Sequence, residues 1–408
     1  MAKSHDLSEL PRVPAERTCP FTPPQEYLAL RDGGSVTPVE VPHAKRVWAI
    51  TSMAEARAML ARDDVSSDPR HPNFPDPFPD ETGEADESDM PWSLIEMDPP
   101  EHTRYRRMLL PELSPRRINE LRPDIEQLAN ALIDEMLATG PDTDLVTAFA
   151  LPLPCTVICR LLGVDDSSHK FFQTRTATVI SQEATSAEKA NAHGELMRFL
   201  DDIVTEKERN PTPDVLGRLI TRYCARGELS HEALVATAVL LLLAGHESTA
   251  STIALGVLTF LRYPDQLRLL RNDPALAAAA ADEMVRFHSL GDVDVSRTAT
   301  ADFELGGYHI RAGDGLLPIM SLINRDSRAF AQPDSLDIKR PNPRGHLGFG
   351  YGAHLCLGHN LARAVLEIAY RTLFDRIPTL RLAVPFEELE FKVASQIYGV
   401  HRLPVTWG

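Results

Sequence analysis

The chain has 408 residues, with 42 Lys and Arg against 58 Asp and Glu for a net charge of −16, and 43% hydrophobic residues. That balance allows a large apolar core and excludes bulk attraction to nucleic acid or to an anionic membrane surface. Five cysteines, at positions 19, 155, 159, 224 and 356, are few and odd in number, which argues against a disulfide framework, and the polar opening Met-Ala-Lys-Ser-His-Asp carries no apolar signal segment, so a cytoplasmic protein is expected.

No Gly/Ser linker, internal repeat or composition break divides the sequence, so residues 1–408 are expected to form one large domain. After a Pro-rich start, 47–50 reads as a strand and 53–61 as a short helix. Residues 68–92 are dense in Pro, Asp and Glu and read as an irregular loop, either a lid or a plain solvent loop. Helices dominate from Asp98 onward: Pro99 and Pro100 suit a first turn, Ser114-Pro115 starts another helix and Gly140-Pro141 closes it. Further helical stretches fall near 152–162, 167–181, 187–209 and 214–226. Ser230 caps a helix that runs through Arg262 until Pro264 stops it, roughly 32 residues or about 48 Å, long enough to cross the domain. Its apolar run 233–245 is broken by Thr237 and is shorter than the ~20 residues of a membrane span, so 230–262 reads as a central core helix. Residues 275–288 form another helix. Residues 303–320 then alternate around Gly306-Gly307 and Gly313-Asp314-Gly315 as strand, turn and strand, and 389–405 adds strands near the chain end. The fold class is therefore mainly α with a minor β portion.

The chemistry concentrates at 349–358, Phe-Gly-Tyr-Gly-Ala-His-Leu-Cys-Leu-Gly. Gly350 and Gly352 permit tight turns, Gly358 removes a side chain just past the sulfur, and Cys356 stands at or beside a helix start whose dipole favours thiolate. A lone cysteine is most often a small buried hydrophobe, and His354 and His359 beside it suggest zinc, but no CxxC pair completes a tetrahedral site and neither reading explains the glycines. Elsewhere, His102 and Arg106 share a helix face at i and i+4 and can hold a carboxylate, or else form a solvated face. Glu283 and Arg286, at i and i+3, can pair in fixed geometry. Leu243-Ala-Gly-His-Glu-Ser-Thr249 sets small residues, an acid and two hydroxyls in the middle of the long helix, where back-bonding to a preceding carbonyl is the plain structural role of the hydroxyls.

The pattern Phe349, Gly352, Cys356, Gly358 resembles the haem-binding signature of the cytochrome P450 family, and the three other segments match that family in the correct chain order from about 90 to 400. The resemblance is to soluble, actinobacterial members. It implies a single domain around one haem b, with Cys356 as the thiolate iron ligand and Phe349, Gly350 and Gly358 shaping the loop beneath it. His102, Arg106, Arg297 and His354 would hold the haem propionates. Ala244 and Gly245 would loosen the long helix beside the iron, and Glu247 with Ser248 or Thr249 would relay protons, Ser248 standing where threonine is usual. Leu240, Leu243, Val293 and Ile397, with the loop 68–95, Tyr398 and the anchors Asp292 and Asp294, would line the substrate pocket. Glu283 and Arg286 become the family's structural ion pair, and the position at which many relatives supply a completing arginine reads here as Ser335.

The function the resemblance implies is monooxygenation, by default hydroxylation of an apolar secondary metabolite in natural-product biosynthesis, with O2 as co-substrate. Electrons would come from a separate ferredoxin and ferredoxin reductase, since no flavin or iron–sulfur segment is recognisable. Arg104, Arg107, Arg116, Arg117, Arg344 and Arg363 lie in segments bordering the cysteine loop and would form a basic face for an acidic ferredoxin. Two alternatives are oxidative C–C or C–N coupling or epoxidation on the same fold, and a haem-binding sensor without turnover; a sensor would not need the acid and alcohol pair. Neither nucleic acid nor membrane is expected as a partner.

Overall fold

A computed structural model describes residues 10–78, 93–181, 183–393 and 395–408. Its first part contains α1 (Gln25–Gly33), the antiparallel strands β1 (Val36–Val41) and β2 (Ala44–Ile50), α2 (Met53–Leu60) and β3 (Val65–Ser66). Most of the expected loop at 68–95, namely 79–92, lies outside the described residues. Helices then follow in sequence: α3 (Glu101–Leu109), α4 (Pro115–Thr139), a strand β4 (Thr143–Asp144), α5 (Pro152–Leu162), α6 (His169–Ile180), α7 (Ser186–Arg209), α8 (Val215–Arg222), α9 (His231–Arg262), α10 (Pro264–Asn272) and α11 (Ala277–His288). The last third holds β5 (Arg297–Ala299), β6 (Phe303–Leu305), β7 (Tyr308–Ile310), β8 (Gly315–Pro318), α12 (Met320–Ile323), α13 (His359–Arg376), β9 (Arg381–Leu382) and β10 (Pro404–Thr406).

The long helix starts where its cap predicts, with the Ser230 hydroxyl accepting the Ala233 N–H, and ends one residue before Tyr263-Pro264. Apolar residues on most of its faces are buried, so α9 runs through the core between α5, α7 and α13. Among the described residues it is the one helix long and apolar enough to cross a membrane, and half of its most apolar window is buried inside the fold. Close approach to α13 depends on Gly256: a Cβ there would lie 2.1 Å from the Tyr370 hydroxyl, which donates to the Thr252 carbonyl at 2.7 Å. This contact fixes the helix that follows the cysteine loop against the central helix.

The sheets are small. Five strands pair in the order β1-β2-β8-β5-β3, three as β4-β10-β9, and β6-β7 form a hairpin of their own. The expected strand-turn-strand over 303–320 is thus divided. The Gly306-Gly307 turn joins β6 to β7, whereas β8 leaves through Gly313, at φ +86°, and pairs in parallel with β2. Asp314 is the physical reason: its buried carboxylate accepts from Trp48 Nε1 at 2.9 Å and Arg46 at 2.6 Å, both on β2. Near the chain end the alternating stretch 389–405 yields isolated bridges, Phe391 to Val400 and Ser395 to Ser181, ahead of β10. Alternation there arises from Phe391 stacking on Tyr398 across a turn, not from an extended sheet.

Candidate active site around Cys356

The loop 349–358 is built by local backbone bonds and by one close approach. Gly350 N–H donates to the Leu347 carbonyl at 2.8 Å and Cys356 N–H to the Phe349 carbonyl at 2.8 Å. Gly350 and Gly352 both adopt φ +72°, and a Cβ on Gly352 would lie 2.2 Å from the Leu60 carbonyl oxygen at the end of α2. Gly358 differs: its φ is −85° and a Cβ would meet no protein atom within 4 Å. Protein packing therefore does not demand glycine there, and the open space lies two residues past the sulfur. The Phe349 ring is held under the Arg363 guanidinium, 4.6 Å from the ring centre. Burial pushes the Cys356 thiol up, against the backbone N–H groups of Gly358 and His359 and the charges of Arg106 and Arg363. Burial of the sulfur thus opposes the thiolate that the helix start favours, and a metal cation at the sulfur would favour it.

Four cationic or donor groups gather beside this loop, and among the described residues none of them forms a salt bridge with a carboxylate. His102 on α3 is 1% exposed, its ring is stacked on His354 at 4.0 Å, and both of its ring nitrogens are buried without a hydrogen-bond partner. Arg106, one turn later, donates to the Leu355 carbonyl. Arg297 on β5 donates to the Ser296 carbonyl at 2.7 Å, and burial lowers it to about 10, opposed by Asp98. Burial, then the charges of Arg297, His102 and Arg106, lower His354 to about 3. Asp98 acts on Arg297 and His102 only through space, its carboxylate being bonded to Ser66 and to the Ser67 N–H at 2.8 Å. A buried orphaned histidine among arginines calls for a ligand carboxylate. A flat cofactor with acidic side arms and a metal for Cys356 fits this donor set.

The α9 segment forms a second group. Ala244 is exposed midway along an otherwise well-buried helix, which marks an internal opening. The helix is continuous there, so the expected loosening at Ala244 and Gly245 does not break it. Gly245 serves packing instead, since a Cβ would lie 2.6 Å from Ile158 Cδ1 on α5. The Ser248 and Thr249 hydroxyls donate to the carbonyls of Ala244 at 3.2 Å and Gly245 at 3.3 Å. Glu247 is 5% exposed and pairs with Lys392 at 2.5 Å; it does not touch Ser248. The acid and alcohol thus share one helix without being bonded to each other.

Of the expected pocket residues, Leu240, Leu243 and Ile397 are half-buried. Val293 is not a lining residue: it is 3% exposed and packs with Val13, Tyr27 and Leu317 beneath the larger sheet. Tyr398 is likewise core, stacked on Phe391 and covered by Arg17 at 4.5 Å. Asp292 is structural, accepting the Ser321 N–H at 2.6 Å. Asp294 stays accessible to water within the fold, and burial followed by the Asp292 charge raises it to about 7.

Glu283 and Arg286 form a bidentate pair at 2.7 and 2.8 Å, 1% and 0% exposed. The third member is Arg340, bonded to Glu283 at 3.1 Å; Ser335 contributes only its carbonyl, which accepts from Arg340 at 2.8 Å and Arg286 at 3.3 Å. Arg340 lies five positions beyond Ser335 in a proline-flanked stretch that carries an arginine but no helical or strand period to align it. Lys392, 145 residues from Glu247, left no local signal at all. The proposed basic face is also partly spent. Arg363 and Arg344 pair with buried Asp282 at 2.7 and 3.5 Å, and Arg116 and Arg117 pair with Glu120. Arg104 donates to the Glu228 carbonyl, while Arg107 is exposed and has no ion-pair partner among the described residues.

Comparison with known proteins agrees with this geometry. Residues 70–377 match the family described as Cytochrome P450. The chain is 45% identical to cytochrome P450 105A3 of Streptomyces carbophilus, over 98% of this chain and 96% of that protein. It is 42% identical to vitamin D3 dihydroxylase of Streptomyces griseolus, over 100% and 99%. The crystal structure of mycinamicin VIII C21 methyl hydroxylase from Micromonospora griseorubida, bound to mycinamicin VIII, superposes with a TM-score of 0.91 at 38% identity, over 97% of this chain and 100% of that one.

Proposed function

Because the chain belongs to the cytochrome P450 family of haem-thiolate monooxygenases, we propose that it hydroxylates a medium or large apolar secondary metabolite, with electrons from a separate ferredoxin and ferredoxin reductase. The observation that carries this reading is the Cys356 loop set against an orphaned, buried His102 and its arginine neighbours. Haem b, when bound, supplies the iron at which dioxygen takes up two electrons and two protons, one oxygen atom entering a substrate C–H bond and the other leaving as water.

The chain's own residues have four tasks in that reaction. Cys356 binds the metal as thiolate, and the N–H groups of Gly358 and His359 disperse its charge. His102, Arg106, Arg297 and His354 hold carboxylates and so fix the cofactor's rotation. Glu247 and the Ser248 hydroxyl deliver protons along α9. Leu240, Leu243 and Ile397 exclude water and press the substrate into place. Relatives named for vitamin D3 and for mycinamicin VIII support a bulky apolar substrate class. We assign the protein to the cytoplasm, with α9 as a core helix, and the docking of an acidic ferredoxin to the side of α3 that carries exposed Arg107.

The test is spectroscopic and chemical. Reduced protein under carbon monoxide should show the red-shifted Soret band of thiolate ligation, and Cys356→Ser should lose it. A spectral binding screen beginning with vitamin D3 and mycinamicin VIII should then find ligands, and turnover under isotopically labelled dioxygen should place one labelled atom in the product. An unchanged carbon monoxide spectrum in Cys356→Ser, or bound ligands that are never oxygenated, would refute the proposal.

A further inference from the structure

We infer that Asp294 is the cation-recognition residue of the substrate pocket, and that the apolar molecule this protein oxygenates carries a protonated amine or a quaternary ammonium group that pairs with it. The inference rests on the monooxygenase reading and adds to it the charge of the substrate and the residue that receives that charge. Asp294 is exposed, yet it lies as deep among protein atoms as its neighbour Asp292, so the surface it shows belongs to an internal space and not to the outside of the molecule. Arg297, three residues on, and Cys356 combine depth with open surface in the same way, and the three together mark the walls of the cofactor and substrate space. Among the described residues nothing is hydrogen-bonded or ion-paired to the Asp294 carboxylate, and the charge that acts on it is a second carboxylate, Asp292. An interior carboxylate without a partner is costly; a ligand cation compensates its charge, whereas a neutral hydroxyl does not. The cofactor cannot take this place, since its own acidic arms would repel Asp294. Glu247, the other carboxylate assigned to this pocket, is already paired with Lys392.

The carboxylate is presented from a segment that is tied down. The Leu290 carbonyl accepts the Tyr398 N–H at 3.3 Å, the Asp292 carbonyl accepts the Met320 N–H at 2.9 Å, and the Asp292 carboxylate accepts the Ser321 N–H at 2.6 Å. Those bonds fix the chain ahead of Asp294 to the turn at 397–398 and to the start of α12. Val293 is held in the core, while the side chain that follows it faces the opening. Gly291 makes room for that side chain: a Cβ there would lie 2.4 Å from Asp294 Oδ2 and 3.2 Å from its Cγ. Gly291 has no positive φ that would itself call for glycine, so the missing Cβ serves the direction of the carboxylate. Leu240, Leu243 and Ile397 give half-buried apolar surface to the same pocket, and a molecule with an apolar body and one cationic end suits this lining. Apolar surroundings also make the ion pair stronger than it would be in water.

The test uses the haem-loaded protein at pH 8, where the Asp294 carboxylate is mostly ionised, with three probes of equal chain length: decyltrimethylammonium, decanol and decanoate. The quaternary nitrogen has no lone pair and cannot ligate iron, so binding is read from the haem difference spectrum and from calorimetry without that interference. Wild type should bind decyltrimethylammonium at least about tenfold more tightly than decanol, and decanoate more weakly than either. Asp294→Asn should lose at least about tenfold for the cation while its decanol affinity stays within about twofold of wild type, and Asp294→Glu should restore part of the loss. Gly291→Ala, which keeps the carboxylate but turns it, should weaken the cation and not the alcohol. Melting temperatures of the variants at the same pH separate loss of the site from loss of the fold. Equal affinity for cation and alcohol in wild type would overturn the inference, as would a cation preference that survives Asp294→Asn and so belongs to the acidic surface; both leave the monooxygenase reading standing. A wild-type protein that binds the cation through Asp294 yet oxygenates no ligand of the binding screen would overturn the monooxygenase reading and the claim on the substrate together.

Discussion

Glu283 accepts from two guanidinium groups in a site where none of the three side chains is more than 5% exposed, and this allows the cost of three substitutions to be ranked in advance. Glu283→Gln leaves Arg286 and Arg340 facing each other without a counter-charge, which should cost about 3–5 kcal/mol, the range for breaking a buried pair. Arg340→Met keeps the neutral Glu283–Arg286 pair but strips donors from the carbonyls of Ala331 at 2.6 Å and Ser335 at 2.8 Å, an expected loss of roughly 2–3 kcal/mol. Ser335→Ala removes no bond, because only the backbone of Ser335 takes part, and should stay within about 0.5 kcal/mol. Urea unfolding followed by circular dichroism, with midpoints compared at a common slope, gives the order directly. If Ser335→Ala costs as much as Arg340→Met, or if Arg340→Met is neutral, Arg340 is not the third member of the site.

Four further outcomes are expected. Ser248→Ala should raise the peroxide yield about tenfold while Thr249→Ala does less, since Thr249 is 6% exposed and faces the Gly245 side of α9; equal effects would move the alcohol role. Arg107→Glu should slow reduction by an acidic ferredoxin and flatten its salt dependence, whereas Arg363→Glu should mainly destabilise the fold by setting a carboxylate against buried Asp282; stopped-flow reduction and melting separate the two. Asp294, raised from 3.8 to about 7, takes up a proton on folding, so its contribution to stability is complete below about pH 4 and is lost as pH rises through about 7. Asp294→Asn should therefore stabilise the fold near pH 8 but not near pH 4, by about 1 kcal/mol after allowing for the carboxylate's access to water, read as a higher melting temperature only at the higher pH. Gly352→Ala should weaken folding, with a Cβ 2.2 Å from the Leu60 carbonyl, while Gly358→Ala should leave folding intact and lower haem affinity; heat stability without haem and haem titration distinguish them.

The parts legible in the sequence are those whose cause is local. α9 could be placed to within a residue because Ser230, an apolar surface on most faces and Pro264 all act within the helix or next to it. The loop at 349–358 was legible for the same reason, Gly350 and Gly352 answering to positive φ and Gly352 to close approach as well. The hairpin over 303–320 was read too long because alternation cannot say which strand a strand will pair with. That was decided by Asp314 meeting Trp48 and Arg46, more than 260 positions earlier. Val293 was misplaced on similar grounds: its apolar character suits a pocket wall and a core equally, and the packing of α1 against the larger sheet chose the core.

Charge was the hardest property to read, because an arginine's partner decides its role and partners are set by the fold. Arg340 and Lys392 each meet a glutamate from a distant segment, and nothing within a few residues of either announces it. The same applies in reverse to the proposed docking face. Arg363 and Arg344 stand beside the cysteine loop in sequence, yet both are directed at Asp282, whose carboxylate burial pushes up and whose bonds to His346 and Arg363 bring back below the usual range. Arg363 thereby ties α13 to α11, and Arg344 ties the segment ahead of the cysteine loop to α11. Long-range steering of an acidic partner then falls to residues such as Arg107 whose charge is not already neutralised, so salt dependence should follow that residue and not the count of arginines near the cysteine.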